Sequence, residues 1–140
     1  PRSPRKESSA ASDVYKRQAM HISAAIPIIR IFDEAKAKEF YFDFLGFSGD
    51  WEHRFGDNFP VYLQVRRSSL ILHLSEHHGD ATPGSAIFIP IDDIDSLHAE
   101  LLAKDYKNAK PGVQDLPWGR MMDITDPFGN HLRFCQQAKG

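Results

Sequence analysis

The chain repeats itself at an offset of sixty residues, and this constrains its fold more than any other feature. Ile29 recurs as Ile89, Ile31 as Ile91, Asp33 as Asp93, Leu72 as Leu132 and Leu74 as Phe134. Both halves share one element order, strand-helix-strand-strand-strand, and that order carries the repeat more firmly than the identities do. A solenoid needs three or more units, whereas two imply a pair of modules. In each module a helix covers one face of a curved sheet and leaves the other free. A concave sheet face bordered by a second module is where a ligand cup belongs.

The elements can be read in order. Ala25–Phe32 is β-branched and apolar, a strand with Pro27 near its start. Asp33 caps a helix whose first turn holds Glu34, and Ala37, Phe40, Tyr41, Phe44 and Leu45 share one face of it. Gly46 ends the helix by permitting a left-handed residue. Phe47–Phe55, Val61–Val65 and Leu70–Leu74 are expected strands, with a turn at Gly56-Asp57-Asn58 and a link at Arg66–Ser69. Glu76–Gly84 is polar, contains Gly and Pro, and reads as a linker. Ser85–Ile91 then begins the second module as a strand. Asp92 or Asp93 caps a helix that is expected to bury Ile94, Leu97, Leu101 and Leu102. The last two strands alternate, with Met122 and Ile124 set against Asp123, and Leu132 and Phe134 against His131 and Arg133. They flank Asp126-Pro127-Phe128-Gly129-Asn130, a tight turn in which Pro fixes an early φ and Gly or Asn accepts a positive one.

Composition narrows the classes. A length of 140 residues suits one domain with a sizeable core. No apolar run is long enough to span a membrane, and no secretory signal is evident at the start. The single Cys135 forbids an internal disulfide framework and reads as a small packed residue, so a cytoplasmic protein is expected. Residues 1–19 are rich in Ser, Pro, Lys and Arg without hydrophobic periodicity, and Asp13–Gln18 resembles the translation of a transposase adapter. They are read as a disordered tail or an artefact, which leaves one domain over 20–140, with modules at about 24–76 and 85–137. Without that tail the domain holds twelve basic against seventeen acidic residues. That balance disfavours nucleic acid as a partner.

Two motifs settle the resemblance: Ile26-Pro27-Ile28…Phe40-Tyr41-Phe42-Asp43-Phe44-Leu45-Gly46-Phe47-Ser48, and Pro117-Trp118-Gly119-Arg120…Asp126-Pro127-Phe128-Gly129-Asn130. Together they resemble the glyoxalase/bleomycin-resistance group of the vicinal oxygen chelate superfamily, and within it the bleomycin-binding resistance proteins. The resemblance implies an α+β fold of two βαβββ modules forming curved mixed sheets. It also implies a homodimer with two equivalent ligand crevices, in which members often exchange a terminal arm.

Metal-using members of the superfamily place His, Gln or Glu at positions that fall here on Ile26, His73, Ala86 and Arg133. Only His73 can ligate, because Ile and Ala have no donor and a guanidinium repels a divalent ion. Catalytic sites need about three protein ligands. The other histidines are isolated, and His77-His78 in the linker read as solvated surface. Neither a nucleophile motif nor a phosphate loop is present. No catalytic residue, metal or cofactor is therefore assigned.

What remains is recognition of a small molecule. Trp118 matches the family's ligand-stacking tryptophan, with core or rim packing as its other reading. Trp51, Phe55 and Phe59 lie where the family supplies facing aromatics, with core filling as the alternative. Gly119, Arg120, His73 and Asp50 complete the candidate site, and Glu52, Asp57, Asp115 and Asp123 are further acids that suit a cationic tail. Arg120 and Arg133 would instead place positive charge in the cup. The reading is a dimeric, metal-free binder that sequesters a bleomycin-type glycopeptide. The alternatives are a metal-dependent lyase, isomerase or dioxygenase of the same fold, or a binder of another aromatic compound.

Overall fold

The computed structural model describes residues 20–138, so the expectation of a disordered tail over 1–19 lies outside the described residues. Two four-stranded mixed sheets account for the strands. The first module runs β1 (Ile28–Arg30), α1 (Glu34–Lys38), a π-helical turn (Glu39–Phe44), β2 (Ser48–His53), β3 (Tyr62–Arg67) and β4 (Leu70–Ser75). The second runs β5 (Ala86–Pro90), α2 (Ile94–Ala103), β6 (Val113–Leu116), β7 (Gly119–Thr125) and β8 (His131–Gln137). Sheet orders are β1-β4-β3-β2 and β5-β8-β7-β6, with the first pair of each parallel. The two βαβββ modules expected from the repeat are the fold. The register repeats as well: Ile28 lies beside His73 and Phe88 beside Arg133, Ile29 beside Leu74 and Ile89 beside Phe134.

Asp33 caps α1 by accepting from the Lys36 amide, and Asp93 rather than Asp92 caps α2 by accepting from Ser96. Gly46 takes φ +74°, and the Phe47 amide reaches back to the Tyr41 carbonyl, closing the helix as a left-handed cap does. The plain helix expected up to Gly46 widens into a π turn at Glu39. That turn is the aromatic part of the helix, and it carries buried Phe40, Tyr41 and Phe44. Leu102 departs from expectation: at 48% exposed it lies off the buried side formed by Ile94, Leu97 and Leu101.

The helix-side faces of both sheets share one core, from Ile29, Leu63, Val65, Leu72 and Leu74 to Ile89, Met122, Ile124, Leu132 and Phe134. The turn after β7 joins the modules. Asp126 accepts from the Phe128 and Asn130 amides, from Asn130 Nδ2 and, at 2.7 Å, from the Tyr41 hydroxyl of the first module. Asn130 donates to the Arg30 carbonyl and accepts from the Gly84 and Ser85 amides. Burial, then the Asp126 charge and hydrogen bond, holds the Tyr41 phenol well above its usual range, so it stays a donor.

Candidate ligand-binding site

Alternation along the strands makes the site. In β3, Leu63 and Val65 point into the core, so Tyr62 and Gln64 face the other way; in β4, Leu72 and Leu74 are buried and His73 faces out beside them. Register lines up one row across the open face of the first sheet: Trp51 beside Gln64, Gln64 beside His73, His73 beside Ile28. A bulge between Gly49 and Trp51 breaks the β2 register at Asp50 and re-aims its carboxylate, which accepts from Gln64 Nε2 at 2.8 Å and Arg66 Nε at 3.1 Å. Those bonds, that from Gln64 foremost, lower the Asp50 pKa.

The chain of partners fixes the histidine's proton. Gln64 gives its amide hydrogen to Asp50, so its Oε1 is what faces His73 Nε2 at 2.8 Å, and Nε2 must donate. Nδ1 then accepts from the Tyr62 hydroxyl at 2.7 Å. Burial lowers the His73 pKa, and burial followed by the Asp80 charge raises that of Tyr62, which favours the neutral pair. His73 is thus a neutral imidazole with both nitrogens engaged, and it adds no positive charge to the face.

Beside this row lies a hollow of about 460 Å³ lined by Trp51, His53, Phe55, Tyr62, His77 and Asp80. Trp51 stacks on Tyr62 with ring centres 6.0 Å apart and planes within 10°, and meets His73 edge-on at 5.4 Å. Phe55 meets His53 and His77 edge-on. Trp51 is 46% exposed and Phe55 more so, which removes core filling as their role. The arrangement offers flat ring faces, one carboxylate and a row of satisfied dipoles without net charge.

Sequence reasoning missed Tyr62, Gln64, His53, His77 and Asp80. The first two were readable from the alternation with Val61, Leu63 and Val65. His77 and Asp80 come from the linker, which folds back because Ser75 Oγ donates to Asp80 and accepts from the His77 amide. His77 was read as solvated surface and instead lines the hollow.

Other expected residues lie elsewhere. Phe59 borders a separate hollow with Arg30, Phe32, Glu34 and Arg54. Pro117 and Trp118 form the two-residue turn between β6 and β7, where the indole is 55% exposed. Among the described residues, Trp118 makes no ring contact with Trp51, Phe55 or Phe59. Gly119 is buried, and a Cβ there would sit 2.4 Å from the Gln136 carbonyl, so its role is close backbone approach. Arg120 lies on the helix side, because β7 residues 120, 122 and 124 share a face. Its guanidinium holds Asp95 in a two-oxygen grip at 2.7 Å and Asp115 at 3.1 Å. Glu52 pairs with Lys38, and Asp123 with Arg133 and His131. Most of the acids singled out in the sequence therefore already have cationic partners.

The residues do not fit a resident metal. Ile28, on the same face as Ile26, is the β1 neighbour of His73, and Phe88, on the same face as Ala86, neighbours Arg133. Neither supplies a donor atom, and both His73 nitrogens are occupied. Among the described residues no group of three or more His, Cys, Asp or Glu is placed to hold an ion.

Comparison with known proteins adds three relatives. The family described as "Glyoxalase superfamily protein" matches residues 10–140. The antibiotic binding protein TnmS3 from Streptomyces sp. CB03234 is similar at 27% identity and TM-score 0.67, over 85% of this chain and 99% of that one. A glyoxalase/bleomycin resistance protein from the same strain is 28% identical over 81% of this chain and 100% of that one, TM-score 0.64. The bleomycin-binding protein from bleomycin-producing Streptomyces verticillus, solved with copper(II)-bleomycin, is 30% identical over 85% of this chain and 99% of that one, TM-score 0.61. No curated protein matches the chain.

Proposed function

The chain belongs to the glyoxalase superfamily, and we propose that it is a metal-free, dimeric, cytoplasmic binding protein that sequesters a bleomycin-type glycopeptide antibiotic. The observation that carries this reading is the hollow beside Trp51, Tyr62 and Phe55, with its neutral His73–Gln64 row and no donor set for an ion. A flat heteroaromatic stacked there gains on the order of 1 kcal/mol per ring pair beyond the area it buries. Asp80 adds a carboxylate for a cationic arm. Binding lowers the free drug by mass action and needs no turnover.

Dimerisation is supported by the sheet ends. β1 and β5 are end strands, and Ile26, Ile28 and Phe88 stand exposed on or beside them. A second copy would cover these residues and would let Trp118 and Trp51, which do not touch within one chain, serve one guest. Arg133 does not oppose a cationic ligand in this reading, because Asp123 neutralises it.

Titration with a bleomycin, followed by calorimetry and tryptophan fluorescence, should give saturable heat and quenching. Neither signal at roughly tens of micromolar would remove the drug. The likeness to an antibiotic binding protein favours one second reading, another aromatic natural product in the same hollow. Quenching by a member of an aromatic ligand panel, with none from bleomycin, would select it. Light scattering tests the dimer, and elemental analysis showing stoichiometric metal would restore the enzyme reading.

A further inference from the structure

A second cavity of about 460 Å³ lies on the opposite side of the sheets, between the two modules. Its apolar floor comes from both: Leu45 and Phe47 from the first, Ile89, Leu97 and Phe134 from the second. Ile89 and Phe134 are the immediate chain neighbours of Phe88 and Arg133, and strand alternation puts them on the other face. The cavity is therefore separate from the hollow at Trp51.

Its charges decide what it takes. Three carboxylates, Asp92, Asp93 and Glu100, and one guanidinium, Arg67, border it. Arg67 is consumed: it holds both Glu100 oxygens at 2.7 and 2.8 Å and donates to the Leu45 carbonyl. Hydrogen bonding with each other depresses the Glu100 pKa and raises that of Arg67, so this pair stays ionised and closed. Asp93 is consumed by the Ser96 amide and hydroxyl at the start of α2. Asp92 has no ion pair or hydrogen bond among the described residues. The hydrogen bonds to Ser96 leave the Asp93 charge in place, so the charge open to a guest is negative, with Asp92 its unpartnered carboxylate, on the lip of an apolar room of ordinary ligand size.

We propose that this intermodule cavity is a second small-molecule site, which takes a compact amphiphilic cation with its apolar body on Phe47, Ile89 and Phe134 and its ammonium against Asp92. An anion meets no free guanidinium there.

The test titrates the whole ¹⁵N-labelled chain with 1-naphthylmethylammonium, with 1-naphthalenemethanol and with 1-naphthoate. Saturable amide shifts are expected at Leu70, Ile91, Asp92 and Leu97, with the cation tightest and the carboxylate weakest. Asp92→Asn should weaken the cation by about threefold, the scale of one exposed ion pair, and leave the alcohol unchanged. Ser69→Trp, at an exposed turn on the lip, should block all three probes while the spectrum stays folded. Shifts confined to Trp51, Tyr62 and His77 would overturn the proposal. So would no saturation at roughly millimolar probe, or cation and alcohol affected alike by Asp92→Asn.

Discussion

The open faces of the two modules use one scaffold for opposite electrostatics. In the first sheet the row reads Ile28, His73, Gln64, Trp51, with a neutral hydrogen bond between His73 and Gln64 at its centre. In the second, the equivalent positions hold Phe88, Arg133 and Asp123, joined by an ion pair at 3.2 Å, and β6 is too short to add a fourth member. The next row differs in the opposite sense, with the one fixed charge, Arg30, now in the first sheet. His53, Tyr62, Ser75 and Arg30 stand where the second sheet has Gln114, Met121, Cys135 and Pro90. A neutral, satisfied row can be covered by an aromatic guest without stripping water from a charge, whereas covering an ion pair carries a desolvation cost that its own attraction often fails to offset. Duplication supplied two cups, and polarity separates the one suited to a flat ligand from the one suited to water or a rim.

The largest effect should come from the one device that has no counterpart in the first module. The β3–β4 link is the two-residue turn Ser68-Ser69, but the β7–β8 link is the Asp126–Asn130 knot, which ties the second module to Tyr41 and Arg30 of the first. Asp126→Ala leaves the buried Tyr41 hydroxyl and two turn amides unpaired and should cost about 3 kcal/mol, read as a shifted urea midpoint. Ser69→Ala, in the matching link, should stay within about 0.5 kcal/mol. Equal effects would show that the knot does not join the modules.

Next in size is binding. Trp51→Ala should weaken an aromatic guest about tenfold, since it removes a stacked ring and its buried area. Phe88→Ala, at the exposed end of the other row, should change affinity by less than about twofold. A larger loss at Phe88 while light scattering still shows the dimer would move the guest to the second sheet.

Much of this was legible beforehand, for identifiable reasons. The Asp33 cap, the Gly46 cap and the Asp126–Asn130 turn each depend on side chains acting within a few residues and match the expectation, and the second cap is one of the two aspartates expected, Asp93. The helix-side position of Arg120 was readable too, because Met122 and Ile124 were already assigned to the covered face and Arg120 shares their parity. The motif Pro-Trp-Gly-Arg drew it toward the ligand instead. The π turn and the exposure of Leu102 were not legible, since helical periodicity assumes a regular helix and does not show how far a neighbouring module reaches. Asp80 and His77 depend on the Ser75 hydroxyl pulling the linker back, a contact that no pattern announces.

The two central side chains also differ in how they answer pH. Burial lowers the His73 pKa below the ordinary imidazole value, so an unfolded chain takes up a proton that the folded one refuses. Stability should therefore be full above about pH 6.5 and should decline as pH falls from there to the lower folded value. A proton NMR titration of His73 should show a midpoint below the ordinary imidazole value. His73→Gln should flatten the decline. Arg133, cationic throughout, contributes no such slope, and a decline that survives His73→Gln would assign it to another group.

The smallest effect should be at Asp123. Its carboxylate contacts Arg133 and His131, yet all three side chains are more than a third exposed. Such pairs contribute about 0–1 kcal/mol, and less in salt. Asp123→Asn should thus move the urea midpoint by no more than about 0.5 kcal/mol and leave ligand affinity at the first sheet unchanged. A cost above about 2 kcal/mol that persists in high salt would mean that the ion pair is buried in the working protein. The second sheet would then be covered by another copy of the chain, and the contrast between the two faces would be one between a ligand surface and a subunit interface.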